Sequence, residues 1–135
     1  MKNFKVGSQI ISLLENNSGV TSVIDVDNIY PLVAIIKGDN GNDKDNVVKF
    51  PFAIYRRSNY TPEDTKDYTG EKVWMEIIIC AKSYAQSLNI ADKICDALKG
   101  RETELIDQIT ISNLYEDWMD ETFVQYITLE VTLKE

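Results

Sequence analysis

The stretch from Val73 to Gly100, VWMEIIICAKSYAQSLNIADKICDALKG, limits the possible fold more than any other, because its apolar period changes halfway. Up to Lys82 it alternates as a strand does. Val73, Met75, Ile77, Ile79 and Ala81 point one way, and Trp74, Glu76, Ile78, Cys80 and Lys82 point the other. From Tyr84 onward, Tyr84, Leu88, Ala91, Cys95 and Leu98, with Ile94 beside them, recur at helical spacing and predict one amphipathic stripe. So short a connection predicts that the helix lies back on the sheet to which the strand belongs. Ser83 and Gln86 stand at capping-box spacing, and Gly100 supplies the stop, with Lys93, Lys99 and Arg101 near the negative end of the helix. Burial of Leu88, Ile94 and Leu98 is expected to contribute roughly 1.5–3 kcal/mol each. On this reading Cys80, Cys95 and Tyr84 are core residues.

The rest of the chain arranges itself around that unit. A first helix is expected from about Phe4 to Glu15, closed by Asn16-Asn17-Ser18-Gly19. A short connection through Val20, Val23 and Ile24 leads to Asp25-Val26-Asp27-Asn28 and a brief strand at Ile29-Tyr30. Pro31 stops or bends that strand, and Leu32 to Ile36 continues it or starts another. Phe50 to Arg57 reads as a strand with Phe52, Ile54 and Arg56 on one face and Ala53, Tyr55 and Arg57 on the other, followed by a polar connection from Ser58 to Glu71. Ile109 to Tyr115 is a further strand and Glu116 to Glu121 an acidic connection. Thr122 to Lys134 alternates cleanly, with Phe123, Ile127, Leu129, Val131 and Leu133 on its apolar face. The expectation is a single α+β domain over residues 1–135, a mostly antiparallel sheet with two main helices packed on one face.

Charge and composition narrow the chemistry. The net charge of −8 and pI near 4.5 disfavour sequence-independent nucleic-acid binding, which requires clustered Lys and Arg to displace counterions, and no direct nucleic-acid readout is expected. With no histidine, the commonest general base and zinc ligand is missing, and no nucleophile elbow, phosphate loop or dinucleotide fingerprint is present. Lys37 to Asn46 (KGDNGNDKDN) has turn chemistry. Counted from Asp39, a calcium loop would need Gly at position 44 and Glu at position 50, where Lys44 and Phe50 stand, so a solvated loop is expected. Asp25 and Asp27 are read first as capping residues, with a carboxylate-held Mg²⁺ as the alternative. Cys80 and Cys95 are read as unpaired thiols. The N-terminus lacks the apolar run of a signal peptide, and no apolar run has the length of a membrane span. No catalytic residue, cofactor or metal is therefore assigned, and no membrane partner.

The N-terminal helix, the strand Phe50-Pro51-Phe52-Ala53-Ile54-Tyr55, the unit ending Ile90-Ala91-Asp92-Lys93-Ile94-Cys95-Asp96-Ala97-Leu98, and a final strand pair joined near Tyr115-Glu116-Asp117 follow one another in an order and spacing that resembles the tail-completion proteins of long-tailed phages and prophages. These are also called tail-terminator or head-tail joining proteins, and the resemblance covers nearly the whole chain. It implies a small α/β structural subunit that self-associates as a ring on the finished tail tube, stops its polymerisation and presents a surface to the head connector. Its partners would be further copies of itself, the tail tube protein and the head-tail connector protein. It would reside in the host cytoplasm during assembly and then in the virion tail. The family supplies no catalytic residues to carry over. From the residues themselves, Arg56, Arg57, Tyr60 and Trp118 are the interface candidates, being arginines in an acidic protein and aromatics in polar surroundings. The alternatives are a carboxylate metal enzyme of nuclease type using Asp25 and Asp27, and a neck or connector subunit of different fold.

Overall fold

A computed structural model of the chain describes residues 1–33, 49–61 and 71–135. Its centre is the predicted strand-to-helix unit. Strand β3 (Lys72–Ala81) runs through the middle of the sheet and is followed at once by α3 (Tyr84–Leu98), whose N-cap Ser83 accepts a hydrogen bond from the backbone N–H of Gln86 at 3.4 Å. The other strands are β1 (Ile29–Pro31), β2 (Phe52–Thr61), β4 (Ile106–Met119) and β5 (Thr122–Leu133). They assemble in the order β1-β2-β3-β5-β4; β1 runs parallel to β2 and every other pairing is antiparallel. The fold is thus α+β, with a mostly antiparallel five-stranded sheet.

The helices lie on one face of the sheet. A turn of 3-10 helix over Lys2–Lys5 leads into α1 (Val6–Glu15), and α2 (Ser18–Thr21) follows directly. Val6, Ile10 and Leu14 of α1, Ile90 and Ile94 of α3, and Val73, Met75, Ile77 and Ile79 of β3 are all 3% exposed or less, and they form one core with Ile127, Leu129 and Val131 of β5. α1 approaches β2 closely at Gly7, where an added Cβ would stand 3.2 Å from the Tyr55 ring. A Cβ there would require the Tyr55 ring to give by a few tenths of an ångström.

Four local expectations are corrected. α1 ends at Glu15 with Asn16 as its C-cap, as expected, but Asn17 at once starts another helix, its side chain accepting from the Val20 N–H at 3.1 Å, so the connection after α1 holds a further helical turn. β2 runs on to Thr61, four residues past Arg57, because Asn59, Tyr60 and Thr61 stay paired with Trp74, Val73 and Lys72 beyond a bulge. The buried arc of α3 is Ser87, Ile90, Ile94, Ala97 and Leu98, whereas Tyr84 and Leu88 are 45% and 42% exposed, and Ala91 and Cys95 half-buried. The helix is rotated by about a quarter turn from the predicted stripe. It is wedged between the sheet and α1 with α2, and the arc that meets both carries the small Ser87 and Ala97 as well as the isoleucines. Finally, Glu116 to Met119 continue strand β4, and the connection to β5 is the two residues Asp120 and Glu121. The predicted strand Leu32 to Ile36 and the loop Lys37 to Asn46 fall almost wholly outside the described residues. Within them, Leu32 already leaves the strand with φ 64.

Candidate assembly interface

The strand order leaves two sheet edges with different character. On one side β1 covers β2 only from Ala53 to Tyr55, so Arg56 to Thr61 have no outer neighbour among the described residues. On the other side β4 has no outer strand, and beyond Ile106 and Ile109, whose carbonyls accept from the Thr103 and Gly100 N–H groups at 2.9 Å, its outer backbone is open among the described residues. Three strand spacings of about 4.8 Å, roughly 14–15 Å in total, separate β2 from β4. Arg56, Arg57 and Tyr60 are therefore brought together on one edge, while Trp118 stands on the opposite one.

Pleating sends the two arginines to opposite faces. Arg56 lies on the face without helices and donates to Glu76 Oε1 from Nε at 3.2 Å and from Nη2 at 2.7 Å. Glu76 is only 8% exposed, and its second oxygen accepts from the Tyr115 hydroxyl at 3.2 Å, so this one carboxylate ties β2, β3 and β4 together across β5. Tyr115 stacks on Tyr126 at 4.4 Å, and burial followed by the Glu76 charge pushes its hydroxyl above the ordinary tyrosine range. Arg56 is thus committed within its own chain.

Arg57 points to the helix side. Its Nη1 donates to Asn3 Oδ1 at 2.8 Å, and its guanidinium sits 4.7 Å over the ring of Phe4, which is 67% exposed. No carboxylate pairs with it among the described residues. Tyr60 is half-buried against the core and donates to Glu71 Oε2 at 3.2 Å; burial and then that carboxylate raise its pKa. It packs more than it presents.

Trp118 sits at the tip of the β4–β5 hairpin, edge-on to Phe123 at 4.8 Å, and remains 55% exposed. The tip is a two-residue loop, Met119 pairing with Thr122, and both loop residues have positive φ, 52° at Asp120 and 58° at Glu121. That is the type I′ geometry whose twist matches the flanking strands.

Between α3 and β4 runs a groove. Leu88, Ala91, Cys95 and Leu114 line its upper part, about 410 Å³, and Cys95, Ile111 and Leu114 its lower part, about 400 Å³. The rotation of α3 is what leaves it open, since the helical line predicted as core now forms one wall. A polar chain crosses its upper end. Gln125 Nε2 donates to Ser87 Oγ at 3.2 Å and to Glu116 Oε2 at 2.8 Å, and the Tyr84 hydroxyl donates to Glu116 Oε1 at 3.0 Å. Gln125 was not singled out from the sequence. Its signal was there, a polar residue between Phe123 and Ile127 on an otherwise apolar face, but nothing local points to its partner Ser87, 38 positions away.

Burial holds both half-buried thiols protonated, and for Cys95 the nearby Asp96 and Asp92 charges add to it. Asp25 Oδ1 accepts from the Asp27 N–H at 3.0 Å and so caps a turn. Among the described residues, no group of three or more potential ligands is placed to hold a metal, and no helix is long and apolar enough to cross a membrane.

No protein-family model matches the chain, and no curated protein matches it significantly. Nine chains of solved structures do resemble it. One of them, from a structure described as the virion of a native gene transfer agent (GTA) particle, aligns over 93% of this chain and 92% of that chain with a TM-score of 0.67 and 11% sequence identity. At that identity the likeness is one of fold, and it spans essentially the whole of both chains.

Proposed function

We propose that this chain is a structural virion protein of the tail-completion type, a subunit that caps the finished tail tube as a ring, halts its polymerisation and offers a surface to the head connector. The observation that carries the reading is the end-to-end fold likeness to a chain of a gene transfer agent virion, a phage-like particle. It agrees with the order of helix, strands, helix and final hairpin from which the tail-completion resemblance was drawn. The surface agrees as well, since the exposed Leu114 and Trp118 and the open edges of β2 and β4 suit contacts with other chains. Its partners on this reading are further copies of itself, the tail tube protein and the head-tail connector protein. It passes from the host cytoplasm into the virion tail.

The test is deletion of the gene from a particle-producing strain, read by negative-stain electron microscopy. Tails of uncontrolled length without heads are expected, with purified protein restoring uniform, joined tails. Tails of normal length lacking heads would identify a neck subunit instead, and intact particles would remove the virion role.

A further inference from the structure

Building on the ring reading, we infer that subunits associate head to tail, the Arg57 edge of one copy entering the α3–β4 groove of the next. The two surfaces are complementary and lie at opposite ends of the same sheet. The groove offers apolar walls at Leu88 and Leu114, flanked by the exposed carboxylates of Asp92 and Asp96. None of the three ion pairs among the described residues uses a groove carboxylate; they join Arg56 to Glu76, Lys72 to Glu130 and Lys134 to Glu102. The opposite edge offers the converse set. Among the described residues Arg57 has no carboxylate partner, the exposed Phe4 lies under its guanidinium, and Lys5, next to Phe4 in the chain, is exposed. A cation stacked on an aromatic ring fits the upper part of a groove with apolar walls and Asp92 and Asp96 at its rim, Lys99 lying at the lower end. A protein of net charge −8 repels its own copies at long range, so a local patch of opposite sign decides where they meet.

The backbone allows the same contact. β4 and the Arg56–Thr61 part of β2 both carry outer N–H and C=O groups without a neighbouring strand among the described residues, so strand pairing between copies is open to them. Because the contact joins two different surfaces, it repeats, and it closes into a ring when the rotation between copies permits.

Sedimentation velocity of the full chain tests this. The wild type is expected to self-associate at low salt and to dissociate as salt is raised. Arg57→Glu, and separately the double change Asp92→Lys with Asp96→Lys, should each weaken association by about tenfold or more, since like charges then face one another. Mixing the two variants in equal amounts should restore it, because every alternating contact again pairs opposite charges. Should Arg57→Glu disturb the fold, zero-length carbodiimide cross-linking of the wild type provides a second readout, with Lys5 expected to couple to Asp92 or Asp96 of another copy. A wild type that stays monomeric, reversals without effect, a mixture that does not recover, or cross-links made elsewhere would each overturn the inference. The tail-length experiment is read independently. If these edges fail to associate in a protein that still caps tails, this interface is lost and the role is kept; association without any effect on tails does the opposite.

Discussion

Glycine in place of Glu121 should stabilise the protein, and the size of the effect follows from the turn. Glu121 holds φ at 58° as the second of two loop residues between β4 and β5. An L-residue in that left-handed region costs about 1–2 kcal/mol, because its Cβ crowds the carbonyl. Glycine removes the crowding but loses more freedom on folding, worth about 0.5–1 kcal/mol. The difference is a gain of about 0.5–1 kcal/mol, or about 2–4 °C in melting temperature for a domain of this size. Nothing offsets it, since Glu121 is exposed and its side chain makes no hydrogen bond or ion pair among the described residues. Urea unfolding is the assay, with a raised midpoint and an unchanged slope expected. Glu121→Ala serves as control, because it removes the same carboxylate from beside Asp120 while keeping the Cβ. If glycine were neutral or destabilising, or no better than alanine, the backbone would not be strained there, and a wider acidic loop from Glu116 to Glu121 would be the better description.

Ile94→Ala removes a fully buried side chain from the contact between α3 and the sheet, and should cost about 2–5 kcal/mol by urea denaturation; an effect below about 1 kcal/mol would mean that α3 is not wedged as described. Stability should also fall in alkali. Tyr60, Tyr84, Tyr115 and Tyr126 all have hydroxyls raised above the ordinary range, so the folded state holds these protons more tightly than the unfolded chain. Their contribution is complete below the unfolded value of about 10 and is lost as pH rises through the folded values. Glu76→Gln removes a charge beside Tyr115, so an ultraviolet titration of the variant should show at least one tyrosine ionising at lower pH; an unchanged titration would remove Glu76 as a cause.

Much of the centre of the molecule was legible. The change of period after Ala81 located β3 and α3, the Ser83 cap is present, and the alternation of Phe52 to Arg57 assigned Arg56 and Arg57 to opposite faces as found. The candidate interface was legible only in part. The arginines drew notice as cations in an acidic chain, but their partners Glu76 and Asn3 lie 20 and 54 positions away, and one pairing commits Arg56 inside the chain while the other gives Arg57 an amide oxygen and, among the described residues, no carboxylate. Trp118 drew notice as an aromatic in an acidic stretch, which proved to be strand. β4 there is exposed and carries no apolar alternation; its pairing with β5 rests on backbone hydrogen bonds and on cross-strand contacts such as Tyr115 with Tyr126 and Glu116 with Gln125, to which a one-strand pattern is blind.

What the sequence determined by itself is the set of elements whose side chains repeat with a local period, together with the class of fold they make and the acidic, histidine-free character of its surface. Those properties need only neighbours within a few residues. The tertiary structure alone decided which arc of α3 is buried, that Gln125 and Ser87 satisfy one another in the core, and that Arg57 and the α3–β4 groove lie at opposite ends of one sheet. Each of these depends on surfaces brought together from distant parts of the chain. An amphipathic pattern says that a side chain seeks cover, and packing against the sheet, α1 and α2 determines which side chains receive it.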